Sequence, residues 1–177
     1  VKYGADPGNQ LCTDDFAGHL AHNANLALKA IMGIEAYSVL LEMQNRSEEA
    51  TAYHSKAARM AAEWAKTASQ GDHTCLVLDS GEGWSLKYNM VWDLLFGSRL
   101  FPETLYSSVV DWYIKKLNKY GVPLDSRKDY TKSDWILWTC AMTEDIKKRA
   151  ALIDPIALYL AEAPDRAPFG DWYWTTD

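Results

Sequence analysis

The chain has 177 residues, 48% of them apolar and 24% charged, a length and composition that fit one ordered domain and exclude a disordered tail. Its net charge of −6 and lack of any Lys/Arg stripe exclude nucleic acid and anionic membrane surfaces as partners, and no apolar run approaches the ~20 residues that span a bilayer. Eight Trp and ten Tyr exceed the comfortable needs of packing, and both side chains suit wet, concave binding surfaces.

The N-terminal Val1-Lys2-Tyr3-Gly4 is neither a signal peptide nor an initiator methionine, so the chain is expected to be a piece of something longer. From Leu20 the apolar residues Leu20, Ala24, Ala27, Leu28, Ile31, Ile34 and Leu41 follow helical spacing. A second set, Leu26, Ala30, Gly33, Tyr37 and Leu40, predicts a helix buried on two sides. Asn45-Arg46-Ser47 ends it, and Ser47 serves as N-cap of a second helix whose first turn holds Glu48 and Glu49. That helix packs one face, Tyr53, Ala57, Met60, Ala61, Trp64 and Ala68, and Gly71 stops it.

Cys75-Leu76-Val77-Leu78 predicts a brief strand before turns at Gly81 and Gly83. A third helix covers 87–96. Pro102 opens a single turn, and a fourth helix runs from Ser108 to Tyr120, closed by Gly121 and Pro123. Thr131-Lys132-Ser133-Asp134 fits a variant capping box for a fifth helix with Trp135, Trp138 and Met142. The sixth spans 144–163, with Pro155 as a kink, and the chain is loop after Pro164.

These elements form three antiparallel pairs, 20–45 with 47–70, 87–96 with 102–120, and 131–142 with 144–163, hence an all-α fold in a single helical domain, 1–177. With the first member of each pair on an inner ring, their N-terminal loops meet at one mouth, which concentrates polar and aromatic residues there. Three pairs leave apolar edges that the missing portion of the polypeptide, another chain or a local rearrangement is expected to cover.

Within that mouth, Asp14 and Asp15 read either as helix caps or as a coupled pair, one acid activating water and the other holding an ammonium group. His19 and His22 stand one helical turn apart. They are hydrogen-bonded structural histidines or, for His19, a proton donor to a leaving group; HExxH is absent, and neither metal nor cofactor is expected. Arg127 and Lys87 suit a carboxylate, Arg127 better because its planar fork matches two oxygens, while salt bridges to Asp125 or Asp134 are the plain alternative. Asp93 and Asp171 complete the polar set, with Asp134 a candidate acid. Trp135, Trp138, Trp172 and Trp84 read as core or as aromatic walls around an amide or a sugar. No GxSxG elbow or local Ser/Lys or Cys signature is found; Thr13, Ser85, Ser126 and Ser133 read as caps. Cys12, Cys75 and Cys140 lack CxxC spacing and read as buried thiols, or as one bridge plus one free thiol.

Four stretches, Leu11 through Asn23, Lys87-Tyr88-Asn89-Met90-Val91-Trp92-Asp93, Tyr120 through Lys128 with Tyr130 through Trp138, and Asp165-Arg166 through Asp171-Trp172-Tyr173, resemble in order the C-terminal catalytic region of the fungal and bacterial glutaminase A-like family. The resemblance implies an (α/α)6 toroid of six hairpins, incomplete in this chain, at the C-terminal end of a longer multidomain protein. It also implies a secreted or periplasmic location and hydrolysis of L-glutamine to glutamate and ammonia. Catalytic roles are expected for Asp14, Asp15, His19 and Asp134, and substrate binding for Lys87, Asp93, Asp125, Arg127, Trp135, Trp138, Asp171 and Trp172. Two alternatives remain: a glycoside hydrolase, marked by carboxylates about 5–9 Å apart across an open groove, and a non-catalytic helical module.

Overall fold

The computed structural model describes residues 2–12, 17–164 and 168–177. Its elements in order are β1 (Asn9–Leu11), β2 (His19–Ala21), α1 (Ala24–Met43), α2 (Ser47–Ala68), a single 3-10 turn at Tyr88–Met90 leading into α3 (Val91–Phe96), α4 (Glu103–Lys115), β3 (Tyr130–Lys132), α5 (Ser133–Cys140), α6 (Ile146–Glu162) and β4 (Trp172–Trp174). The fold is mostly helical, with two short antiparallel ribbons, β1 with β2 and β3 with β4. No helix among the described residues is long and apolar enough to cross a membrane.

The helix starts differ from the periodicity in an instructive way. α1 begins at Ala24 rather than Leu20 because the Asn23 side chain accepts hydrogen bonds from the backbone N–H groups of Asn25 and Leu26 and so caps the helix. Leu20 is instead extended and paired with Gln10. α2 starts at Ser47 as predicted, but Arg46 is its cap residue and Ser47 Oγ donates to Glu42. α4 occupies Glu103–Lys115 rather than 108–120, opened directly by Pro102; beyond it, Asn118 and Gly121 pair in a tight turn. The predicted capping box at Thr131 is replaced by β3, because β4 takes the backbone groups of residues 130–132. β4 also replaces the loop expected after Pro164. The brief strand at 75–78 reduces to one bridge, Asn23 with Val77.

α1 and α2 form a hairpin whose buried stripe includes Leu28, Ile31 and Leu41, and Trp64 Nε1–H donates to the Ala24 carbonyl at 2.8 Å. α1 is not sealed on its second side: Tyr37, Leu40 and Met43 stay exposed, as do Leu94, Leu95 and Phe96 of α3. α1 packs against the 3-10 turn and α3, and α5 packs against the same turn, so the first members of the three pairs lie side by side. α4 contacts α6 behind them. Two layers result, with Tyr88, Met90, Val109, Val110, Tyr113, Ile136 and Leu152 in the core between them, each large apolar side chain stabilising by about 1.5–3 kcal/mol through burial.

One close approach shapes the mouth. Gly83 is left-handed (φ 64°), and a Cβ there would meet Ser126 Oγ at 2.5 Å and Leu76 Cβ at 3.0 Å. The absent side chain lets residues 84–86 run against 124–126, fixed by Leu86 N–H to Leu124 O and Ser126 N–H to Trp84 O, both 2.9 Å.

Candidate functional site

Asp125 and Arg127 sit two residues apart on the turn facing that segment. Arg127 donates to the Asp125 carboxylate from Nη2 at 2.6 Å and from Nε at 3.0 Å, and its backbone N–H adds a bond at 2.8 Å. Asp125 is buried, so its lone pairs are consumed by this fork and it is no free base. Nη1 of Arg127 donates to the Ala17 carbonyl at 3.2 Å. The hydrogen bonds to Asp125 raise the guanidinium pKa further, and the side chain stays 29% exposed.

These two residues line a niche of about 10 Å³, room for one water-sized group. Cys12, Asn23, Asn25 and Ser85 line it as well. Ser85 belongs to the extended 84–86 segment, bridges Asp125, and caps no helix. Two residues on, Lys87 projects to the same side of the chain, and its Nζ donates to Ser85 Oγ at 2.7 Å and to the Ser85 carbonyl at 3.0 Å. Lys87 is fully buried with no carboxylate in salt-bridge range among the described residues. Burial pulls its pKa down to about 7, opposed by the Cys75 thiol and the Asp125 carboxylate. Lys87 is therefore enclosed rather than lining the mouth, and it reaches the niche only through Ser85.

A rim stands beside the niche, joined to it by Tyr130, whose carbonyl accepts from Leu124 N–H. Lys132 on β3 binds Asp171 at 2.9 Å and Asp134 at 3.4 Å, and its ammonium lies 4.9 Å from the Trp135 ring centre. Burial draws the Lys132 ammonium down, yet the two carboxylates outweigh it and leave the pKa above its ordinary value. Asp171 is correspondingly held below the usual carboxylate range by its bond to Lys132. Trp172 pairs with Lys132 across the ribbon and is 43% exposed, and Trp135 stacks on buried Tyr88 with ring centres 4.2 Å apart.

The structure thus gathers Asp125 and Arg127 with Lys87 behind them, and Asp134, Asp171, Trp135 and Trp172 around Lys132. It separates the others. Asp93 is buried and accepts from Leu100 N–H, Phe101 N–H and the Tyr106 hydroxyl, so its expected place at the mouth is corrected to that of a loop anchor. Trp138 meets Trp92 and Trp135 edge-on within the inner layer, and Trp84 lies near Tyr113. His19 is exposed on β2, not on a helix one turn from His22. His22, at φ 55°, bonds Asp6 at 2.8 Å and faces Asp79 at 3.6 Å. Asp14 and Asp15 lie outside the described residues. Among the described residues no three His, Cys, Asp or Glu side chains are placed to hold a metal ion, and all three cysteines are buried.

Sequence reasoning passed over Ser85 and Lys132. The signal for the first was Ser85-Leu86-Lys87: in extended chain, alternate residues share a side, so a hydroxyl and an amine two apart meet.

The family model described as the glutaminase A six helical-hairpin domain matches residues 1–177. The chain is 37% identical over 173 residues to glutaminase A of Aspergillus oryzae, an alignment covering 96% of this chain and 25% of that protein. To a probable glutaminase of Arthroderma benhamiae it is 30% identical over 206 residues, covering 100% of this chain and 24% of the relative. The chain therefore spans about a quarter of the length of the curated relatives it matches.

Proposed function

The chain belongs to the glutaminase A six helical-hairpin domain family, and from that premise we propose that the protein carrying it hydrolyses the side-chain amide of L-glutamine to glutamate and ammonia. The observation that carries this reading is the setting of Arg127. Asp125 and the Ala17 carbonyl fix its guanidinium at the edge of the niche, while the second hydrogen on each terminal nitrogen has no partner among the described residues. A planar pair of donors held in place at a largely occluded edge suits the α-carboxylate of an amino acid, and the ordering cost of the side chain is met before substrate arrives.

In this reading Asp14 and Asp15, which precede Ala17 in the sequence and lie outside the described residues, supply negative charge for the substrate ammonium. Trp135 and Trp172 wall the rim that Lys132, Asp134 and Asp171 make polar. A sugar-cleaving role needs a general acid of raised pKa, and Asp171, held low by its bond to Lys132, does not supply one.

The three helical pairs of this chain form one domain within a longer polypeptide, packed through the open face of α1 and α3 against further hairpins. The six hairpins in the family's description and the exposure of Leu40, Met43, Leu94 and Leu95 support that assembly.

Ammonia release by the intact protein, measured across glutamine, asparagine, simple amides and a panel of glycosides, tests the reading. Preference for glutamine is expected. Sugar release without ammonia from any amide would replace it with the glycosidase.

A further inference from the structure

Within the amide-hydrolase reading, on which this rests, we propose that Ser85 is the nucleophile and Lys87 its general base, a Ser–Lys pair built on an extended segment beside Arg127. Four observations carry it. Ser85 Oγ and Lys87 Nζ are 2.7 Å apart, within direct proton-transfer reach. Ser85 lines the niche that Arg127 borders, so the hydroxyl and the carboxylate anchor face one niche, which at about 10 Å³ has to widen to admit an amino acid. Lys87 is held from behind rather than by an ion pair: its backbone N–H donates to Tyr113 Oη at 2.9 Å, and that hydroxyl donates to the Ser85 carbonyl at 3.1 Å. Finally, a fully buried lysine without a salt-bridge partner among the described residues carries a desolvation cost that a purely structural role leaves unexplained.

The titratable groups around Lys87 are Cys75, Tyr113 and Asp125, the last neutralised by Arg127. Burial keeps Cys75 and Tyr113 protonated by raising their pKa values, so the amine faces no free anion among them. With its own pKa drawn to about 7, Lys87 is substantially neutral at physiological pH and able to accept a proton.

The Lys87 amine takes the Ser85 hydroxyl proton as Ser85 Oγ bonds to the carboxamide carbon. The resulting ammonium gives that proton to the amide nitrogen as the C–N bond breaks, releasing ammonia and leaving an ester on Ser85. Water then loses a proton to Lys87 and attacks the ester carbon; the C–Oγ bond breaks, and Lys87 returns the proton to Ser85.

A fluorophosphonate probe applied to the intact protein, followed by peptide mapping, reads the pair without any amide substrate. Labelling is expected at Ser85, absent in Ser85→Ala, at least 100-fold slower in Lys87→Met, and slower below pH 7 in the unaltered protein. In parallel, Ser85→Ala should lower kcat for glutamine at least 1,000-fold with KM little changed, and hydroxylamine should divert product to the γ-hydroxamate. Circular dichroism checks each variant's fold, and if Lys87→Met fails to fold, the pH dependence of labelling decides. Glutamine turnover in Ser85→Ala within 10-fold of the parent overturns the pair but leaves the amide-hydrolase reading standing. No ammonia from the parent protein on any amide defeats that reading, and labelling at Ser85 then still tells whether an activated serine exists: its absence overturns the pair.

Discussion

The Tyr106 hydroxyl donates to the buried Asp93 carboxylate at 2.6 Å, tying α4 to the loop that leaves α3. Burial and this bond raise the tyrosine well above the phenolic range, so it stays a donor at every accessible pH. Tyr106→Phe removes the donor and leaves the carboxylate with the Leu100 and Phe101 N–H groups. We expect a loss of about 1.5–3 kcal/mol in urea unfolding, with kcat for the folded protein unchanged. Asp93→Ala orphans all three donors and should cost more.

Arg127 is set for carboxylate recognition by Asp125, not by charge alone. Arg127→Lys keeps a cation but loses the fork, and KM for glutamine should rise about 30-fold, equivalent to about 2 kcal/mol, with a smaller change in kcat. Steady-state kinetics on glutamine and on a glutamine analogue lacking the α-carboxylate check this, since the analogue should hardly distinguish the variant from the parent.

The depressed pKa of Lys87 has a stability consequence with a definite sign. Between about 7 in the folded state and the usual lysine value near 10.5 in the unfolded state, the unfolded chain binds more protons, so stability rises with pH across that window. Below pH 7 both states are protonated and the burial penalty is felt in full. Chemical denaturation at pH 6.5, 8 and 9.5 should show that rise, and Lys87→Met, where it folds, should flatten it.

At the other end of the chain, the His22 imidazole is raised by its hydrogen bond to Asp6, with Asp79 adding to the effect. Its contribution is present below the unfolded value of 6.5 and is lost as pH rises through the higher folded value. An NMR titration of the ring should show that elevation, and Asp6→Asn should lower the midpoint. Amide exchange at Gly8, which donates to Asp6, should quicken on the alkaline side.

The long helices were legible because burial on one face imposes a 3.6-residue period, which α1 and α2 obey over most of their lengths. Leu20 fell on that period by coincidence, and only the bonds from the Asn25 and Leu26 amides to Asn23 showed where the helix starts. The ribbons were not legible: three residues carry no periodicity, and Thr131 finds Tyr173 more than forty positions away. At the mouth, Asp125 and Arg127 could be read from adjacency and complementary charge. Ser85 was mistaken for a cap since a hydroxyl shortly before a helix usually is one. Lys87 looked like a substrate ligand because its charge suits a carboxylate, and only the alternation in Ser85-Leu86-Lys87 hinted that its ammonium turns inward toward its own neighbour.

The β3–β4 ribbon settles when the mouth can exist. Tyr173 Oη donates to the Tyr120 carbonyl, Thr175 exchanges backbone bonds with Tyr120 and Asp129, and Asp171 O accepts from Ser133 N–H. On the ribosome, all six helices are made before any of these clasps is available, so a nascent chain stalled short of Asp171 carries its helices but an unfastened Lys132. Completion of this mouth is thus deferred until residues 171–175 have been translated and have folded back across it.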